Sequence, residues 1–547
     1  MQKIFRTLLL VAMLITSYLL VLAWQKDYGG QQAPVVTSTS QGVANDLVVA
    51  GGGGLPVTTV APTSAPSTTL IEVSTDRHDI KIDPVGGDIV YAALKNHDAT
   101  KGSDEPFVLL EQNPNRTYVA QSLIGGRDGI DVNERAVYTS PKTSYTLQGD
   151  SLSVPLSYTQ DGMTVTKTYT FNAGSYPINL TQTINNASDK DWQGELFVQL
   201  KRDDSKDPGL ADKGMMGMAT YLGGAWGVPS EPYNKLKFAK FNDNAIDKSS
   251  EKGWVGMLQH YFVSAWTPNN YTPKFFSRSD ANNHYIGYKT LVGVGAGKQI
   301  SLSDTLYAGP KVQSELKTVA QGLDKTVDYG VLWPISKPIF ILLQNIHAFL
   351  GNWGWSIIAL TLIIKASLMW ISNKSYYSMA KMRLLAPKMQ QLKDEFGDDK
   401  MRMSQEMMKL YKEENVNPLA GCLPILLQMP IFLALYWVLV ESVELRHAPW
   451  ILWINDLSAM DPWFILPIFM GITMYVQQQL NPQPTDPMQA KVMKILPIIF
   501  TVFMLFFPAG LVLYWTVNNL FSMVQQQIIN KKVEQQFKKR TVKVLSD

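Results

Sequence analysis

The chain shows two hydrophobic patterns, and they divide it into two parts. Over residues 70–308 polar and apolar side chains alternate with a period of two, as in "TVTKTYTFN", and Gly, Asn or Pro recurs between the alternating stretches. A period of two is typical of strands that bury one face. The pattern therefore predicts a large all-β domain of sandwich type, which we place at 70–325.

Apolar stretches of membrane length follow the β region. About 20 apolar residues are needed to cross a hydrocarbon core roughly 30 Å thick. The last stretch is too long for one span, and "FFPAG" within it predicts a tight turn between two short spans. The predicted spans lie near 353–372, 419–440, 463–480, 494–507 and 510–528, within a membrane region of 353–530.

The segment 326–352 predicts a helix that lies at the membrane interface. Its tryptophans are typical of that interface. Because Pro334 and Pro338 interrupt the first part of the segment, we expect the helix itself to run from Ile339 to Leu350.

The N-terminal residues predict one more span. Two basic residues precede an apolar run that ends at Trp24, so residues 1–27 form either an uncleaved anchor, which we favour, or a cleaved signal peptide. Residues 28–69 are rich in Gly, Ser, Thr and Pro and predict a flexible linker. With the anchor, the predicted spans number six.

The distribution of charge predicts the orientation. The segment 374–417 and the tail 531–547 are rich in Lys and Arg, whereas the loop from Glu441 to Pro462 has Arg446 as its one fixed cation. Basic segments remain in the cytoplasm. We therefore expect both termini in the cytoplasm and the β domain on the outer, periplasmic side of a bacterial inner membrane.

Composition excludes several classes of function. Charged residues are 17% of the chain, below the ~25% usual for soluble proteins. The net charge of +3 is too small for nucleic acid to be the main partner, so we expect no DNA binding. The single cysteine, Cys422, excludes a disulfide framework. Because there is no "GxSxG", "HExxH" or P-loop, we expect no enzyme activity, no cofactor and no metal.

Lys365 is the candidate functional residue, because it lies mid-span within "IIALTLIIKASLMW" and an ammonium there is costly. Thr361, Lys365 and Ser372 share one helix face. No acidic residue lies inside a span, which predicts a hydrated cavity where Lys365 attracts polar or anionic groups. Polar side chains of the other spans are Gln428, Thr473, Gln477, Tyr514, Trp515, Thr516, Asn518 and Asn519.

Two simpler interpretations remain open for these residues. Lys365 can extend its four-carbon stem to the headgroups without any further role. Amides such as Gln428 and Asn518 can simply hold neighbouring helices together by hydrogen bonds.

The cytoplasmic segment 374–417 predicts a helical hairpin with a methionine-rich stripe that includes Met382 and Met389. Methionine is flexible and polarisable, so the stripe suits variable apolar clients. The alternative is that these residues form the packing seam between the two helices. The basic tail is typical of segments that bind RNA or anionic lipid, and it gives a weak indication of ribosome contact.

Five stretches of the second region carry a resemblance to a known family: "SYYSMAKMRLLAPKM", "NPLAGCLPILLQMPIFLALYW", "DLSAMDPWFILPIFMG", "TDPMQAKVMKILP" and "FPAGLVLYWTVNNL". Through them the chain resembles the YidC/Oxa/Alb family of membrane-protein insertases from about 331 to 531, and its N-terminal parts resemble the Gram-negative form. The resemblance implies a five-helix core around a hydrophilic groove, open to cytoplasm and lipid, and a periplasmic β-supersandwich. It also implies a chaperone role, with nascent membrane proteins, the Sec translocon and membrane lipid as partners.

By this resemblance Lys365 stands where the family usually has the arginine of its groove. The charge is kept, but the fixed fork of guanidinium donors is not. The resemblance places Thr361, Gln428, Trp515 and Gln477 at groove-lining positions.

Three rival functions stay open. A solute transporter would use the same cavity but predicts inverted repeats, which the chain does not show. A scaffold would act through its β domain alone. A protease would use Lys365 as general base, but the nearby Ser367 faces away from it.

Overall fold

The computed structural model describes residues 69–207, 221–396, 399–421, 423–481 and 487–546. The predicted N-terminal anchor and nearly all of the predicted linker lie outside these residues. The chain divides into a unit that ends at Val327 and a unit that begins at Asp328. Each unit is described by itself.

The first unit is built from strands. In chain order they are β1 (Ile71–Ser74), β2 (His78–Asp83), β3 (Asp88–Asp98), β4 (Pro106–Asn113), β5 (Arg116–Gly125), β6 (Ser144–Thr146), β7 (Ser151–Gln160), β8 (Met163–Asn172), β9 (Pro177–Asn186), β10 (Trp192–Arg202), β11 (Gly223–Val228), β12 (Glu231–Leu236), β13 (Lys248–Ser249), β14 (Trp254–Leu258), β15 (Phe262–Pro268), β16 (Lys274–Ser279), β17 (His284–Val294) and β18 (Lys298–Pro310).

These strands form two sheets that share a core. The larger sheet has the order β13-β16-β17-β10-β5-β4-β3-β2-β1-β6, and the smaller has the order β12-β11-β14-β15-β18-β9-β8-β7. In β8 every second residue from Met163 to Phe171 is buried, as the period of two predicts. Trp266 of the smaller sheet donates from Nε1 to the carbonyl of Gln199 in the larger one, at 3.2 Å. The predicted β-sandwich is confirmed.

A cluster of four charged side chains is buried in this unit. Arg135 lies 2.6 Å from Asp88 and 3.4 Å from Asp131. Lys167 donates to the carbonyl oxygens of Gly86, at 2.6 Å, and Ser122, at 2.7 Å. Burial lowers the pKa of Lys167 to about 8. No side chain of the four is more than 8% exposed, so each charge depends on its neighbours rather than on water.

Helices end the first unit and build the second. The first unit ends with the short helix α1 (Gln313–Val319) and a 3-10 turn. The helices of the second unit are α2 (Trp333–Leu350), α3 (Trp353–Ser367), α4 (Met369–Leu384), α5 (Ala386–Phe396), α6 (Lys400–Glu413), α7 (Leu423–Glu441), α8 (Ile465–Leu480), α9 (Pro487–Met504) and α10 (Ala509–Ser546).

Helix α2 begins earlier than the predicted Ile339. Pro334 stands in its first turn, where a backbone N–H would have no partner within the helix, so proline is tolerated there. Pro338 is accommodated inside the helix. The prediction that both prolines exclude a helix over these residues was wrong. The helix is fixed to α7 by Ser336, whose hydroxyl donates to the carbonyl of Ala434 at 3.2 Å.

The single span predicted at 353–372 is two helices, α3 and α4, with a bend of 69° between them. Ser367, the last residue of α3, donates from its hydroxyl to the carbonyl of Ile364 at 2.7 Å. Side-chain bonds of this kind compete with the backbone hydrogen bonds that would continue a helix. Among the described residues, no helix taken alone combines the length and apolarity needed to cross a membrane, whereas α3 and α4 together reach both.

The other helices differ from the predicted spans mainly at their ends. Residues Pro418–Gly421 form a 3-10 turn, so α7 begins at Leu423 rather than at 419. The predicted turn at "FFPAG" separates α9 from α10. Helix α10 does not end near 528 but continues to Ser546, so the predicted basic tail is part of the last helix.

Candidate functional site

Helix α10 places most of the polar side chains of the site, because it packs against α3, α4, α7 and α8. Its side chains on these contacts are buried although they are polar, each at most 8% exposed. Positions 518, 522 and 525 recur at spacings of four and three, which keeps them on one helix face. We call the following residues the polar seam: Tyr514, Asn518, Asn519, Ser522, Gln525 and Gln526.

Lys365 of α3 is held by the polar seam. Its Nζ donates to Oγ of Ser522 at 2.7 Å, and the lysine is 6% exposed. Ser522 also interacts with the hydroxyl of Tyr376 on α4. Among the described residues no carboxylate pairs with Lys365. The amine of Lys365 is thus buried beside a neutral acceptor, with no compensating carboxylate among the described residues.

Gln428 and Asn518, both predicted from the sequence, are brought together. Nε2 of Gln428 on α7 donates to the hydroxyl of Tyr514 at 3.1 Å and to Oδ1 of Asn518. Asn518 lies one helical turn from Ser522, so this amide pair and the lysine are neighbours along α10.

The other predicted groove residues differ in their surroundings. Thr361 lies one turn before Lys365, and its hydroxyl donates to the carbonyl of Ile357 in its own helix at 2.7 Å. The ring of Trp515 lies 4.8 Å from that of Phe432 and 4.9 Å from that of Phe500. Its indole Nε1 is buried and has no acceptor among the described residues.

Gln477 is not brought to Lys365. It lies on α8, partly exposed. Within the described part of the chain, no hydrogen bond joins it to the polar seam. The contact between α8 and α10 is made instead by Asn519, whose Nδ2 donates to the hydroxyl of Thr473 at 3.3 Å.

Sequence reasoning missed Ser522, Gln525 and Gln526. Gln525 donates from Nε2 to Oδ1 of Asn373 on α4 at 2.8 Å, and Gln526 donates to Oδ1 of Asn481 at 3.0 Å. The Oε1 atoms of both glutamines are buried without a donor among the described residues. The signal that could have found these residues is the helical spacing from Asn518, which continues through "FSMVQQQ".

The length of the polar seam can be compared with the thickness of a bilayer's hydrocarbon core. From Tyr514 to Gln526 it extends roughly 18 Å along the helix axis, at ~1.5 Å per residue. This is more than half of a hydrocarbon core of roughly 30 Å. Along this length α10 carries neutral hydrogen-bonding groups, and Lys365 of α3 adds one basic side chain through its bond to Ser522.

In the helical hairpin formed by α5 and α6, Met389 lies in the packing contact between the two helices. It is 6% exposed, and the hydroxyl of Tyr411 on α6 lies 3.7 Å from its Sδ. Leu385 and Val416 complete this cluster, and Met382 packs against it partly buried. These contacts are the ones expected if Met382 and Met389 form the packing seam between the two helices of the hairpin. By contrast, Met401 on α6 is 74% exposed.

Met389→Glu is expected to open the hairpin, because it replaces buried apolar contacts with a charge and so costs at least about 2 kcal/mol. The measurement is limited proteolysis of the full-length protein, with Met401→Glu as the exposed control that keeps the resistance of the wild type. If the Met389 variant stays resistant but loses crosslinks to a nascent client, the side chain contacts clients instead.

Comparison with known proteins gives one family for both units. The family description "YidC periplasmic domain" matches residues 70–342, and "60Kd inner membrane protein" matches 345–536. The chain is 51% identical over 552 residues to "Membrane protein insertase YidC" of Stutzerimonas stutzeri (strain A1501), covering 97% of this chain and 98% of that protein. It is 49% identical over 556 residues to the protein of the same name from Pseudomonas entomophila (strain L48), covering 98% and 99%.

Among solved structures, the chain is similar to one titled "Active YidC insertase crystal structure with the first transmembrane domain resolved". The identity is 17% and the TM-score 0.37, over 84% of this chain and 92% of that one.

Proposed function

Because this chain belongs to the YidC family of membrane protein insertases, we propose that it inserts nascent membrane proteins into the bacterial inner membrane at the site formed by Lys365 and the polar seam. The family is one of insertases and not of enzymes. The observation that carries the proposal is the Lys365 ammonium, buried with a neutral hydroxyl as its hydrogen-bond acceptor.

The proposed mechanism follows from the energy barrier that a polar client segment meets in the hydrocarbon core of the membrane. A polar segment of a client must pass roughly 30 Å of hydrocarbon, where each charge or unpaired polar group is costly. The polar seam offers hydrogen-bond partners over part of that path. Lys365 attracts acidic or polar groups of the segment, while the apolar part of the client partitions into lipid. This partition drives the polar part across the membrane.

The membrane arrangement that we propose has six spans, one of them the N-terminal anchor, with both termini in the cytoplasm. The β domain of residues 70–325 lies in the periplasm, α2 follows the membrane interface, and the insertase core occupies 353–530. Support comes from the basic residues of 374–417 and of the end of α10, since cationic segments stay on the cytoplasmic side.

We further propose that the protein works alone or with the Sec translocon, and that it also helps its clients to fold and assemble.

The exposed lysines at the end of α10, among them Lys531, Lys532 and Lys538, suit contact with anionic lipid headgroups or with ribosomal RNA. Such contact would place the ribosome near the hairpin.

Insertion of a single-spanning client into lipid vesicles that contain only this protein is expected to proceed without nucleotide, because the sequence has no P-loop. Protease protection of the translocated segment measures the yield, and empty vesicles measure spontaneous insertion. A strict requirement for added ATP, or a yield equal to that of empty vesicles, would contradict the proposed function.

A further inference from the structure

Resting on the proposed function, we infer that Ser522 is a specificity-determining positioning residue: it fixes the Lys365 ammonium with a neutral acceptor and thereby keeps the site selective for acidic client segments. Ser522 belongs to α10 and Lys365 to α3. Their hydrogen bond of 2.7 Å crosses the contact between these helices.

The geometry confines the ammonium. Ser522 is 2% exposed and Lys365 6%, so neither side chain is free to turn into water without separating the helices locally. A lysine stem is long and has many rotamers, and the hydroxyl on the facing helix selects one position for its end. Ser522 therefore determines where along the polar seam the positive charge is presented.

The neutral character of the acceptor determines the charge of the site. A carboxylate at position 522 would form an internal ion pair with Lys365, and the site would then offer a client no net charge. The neighbouring members of the polar seam are amides and a phenol, which carry no compensating charge. The serine is thus a small acceptor that orients the cation without neutralising it.

A single acceptor is enough to orient an ammonium. The ammonium is a compact point charge, whereas a guanidinium spreads five donors over a plane. The Ser522 hydroxyl, at 2.7 Å from Nζ, is such an acceptor.

The test compares Ser522→Asp with Ser522→Asn, which have nearly the same shape and differ in charge. Both full-length proteins are placed in vesicles with two single-spanning clients that differ only in acidic residues of the translocated segment. The ratio of acidic-client to neutral-client insertion is expected to fall about tenfold in the Asp variant relative to the Asn variant, because an interaction with a charged group is worth this much. Ser522→Thr, which retains the hydroxyl, is expected to keep the wild-type ratio of acidic-client to neutral-client insertion.

Other results would overturn the inference. If the Asp and Asn variants give equal ratios, the charge at position 522 is irrelevant. If the insertion of both clients falls by the same factor in every variant, Ser522 is only a packing residue. If the Asp variant fails to accumulate while the Asn variant accumulates, Lys365 is not placed to compensate the new carboxylate.

Lys365→Leu separates this inference from the proposed function. Selective loss of the acidic client in this variant, together with equal ratios in the Asp and Asn variants, would leave the proposed role of Lys365 intact and refute that of Ser522. If Lys365→Leu leaves the insertion of both clients unchanged, both the proposed role of Lys365 and that of Ser522 are refuted.

Discussion

Reversing the charge at position 365 is expected to reduce insertion of a client with an acidic translocated segment on the order of tenfold or more, through like-charge repulsion at a position where the side chain is buried. Lys365→Glu is the variant. Lys365→Arg keeps the positive charge and approximate reach, so it should retain insertion. Lys365→Leu should impair the acidic client, while a lysine that only reached the headgroups would tolerate leucine without loss.

The measurement uses the matched clients in vesicles containing equal amounts of each variant. The arginine variant also tests for base catalysis, because a guanidinium stays protonated at any accessible pH and cannot act as a general base. Inactivity of the Arg variant, or equal insertion of both clients by the Glu variant, would overturn the electrostatic role of Lys365.

In the β unit, Asp88→Ala is expected to lower the free energy of unfolding by about 3–5 kcal/mol, which is typical when one partner of a buried ion pair is removed. Arg135, 2.6 Å from Asp88, would retain only its longer contacts of 3.4 Å to Asp131 and to the carbonyl of Ser122. The buried Lys167 would lose a nearby negative charge as well.

Asp243→Ala is the matched control. Asp243 pairs with Lys240 at 3.0 Å, but the two side chains are 62% and 56% exposed, so the change should be within about 1 kcal/mol. Hydrogen exchange of β-unit peptides in the full-length protein measures both effects. Equal protection in the two variants would show that the buried cluster contributes nothing beyond a surface pair.

The β-sandwich could be predicted because each strand has its own signal, the alternation of polar and apolar residues, within a few positions of the sequence. In β8 the alternation of residue types directly gives the buried face. The ionic cluster could not be predicted in this way. Asp88 and Lys167 stand on strands far apart in sequence, and each alone resembles an exposed charge on a polar face. Only the pairing of the sheets brings them together.

In the helical unit, too, the features that could be predicted are those with a local signal in the sequence. Pro508 marks the turn before α10. Lys365 stood out by its place within an apolar run, and the resemblance to a known family placed Gln428 and Trp515 beside it as groove-lining residues. The bend after Ser367 was missed, because apolar residues continue across it without interruption. The partner of Lys365 was missed because the spacing within α3 defines the face of the lysine, but not which helix packs against that face.

The last helix has a mechanical consequence. Helix α10 runs without interruption for 38 residues, roughly 57 Å at ~1.5 Å per residue, and carries Ser522 in its first half and the lysines at 531 and beyond in its second. Helices of this length bend only gently. A displacement imposed on Lys531 is therefore transmitted along the axis to Ser522 instead of being absorbed in a loop. A partner bound to the C-terminal half of α10 is therefore expected to change the height at which the Ser522 hydroxyl meets Lys365.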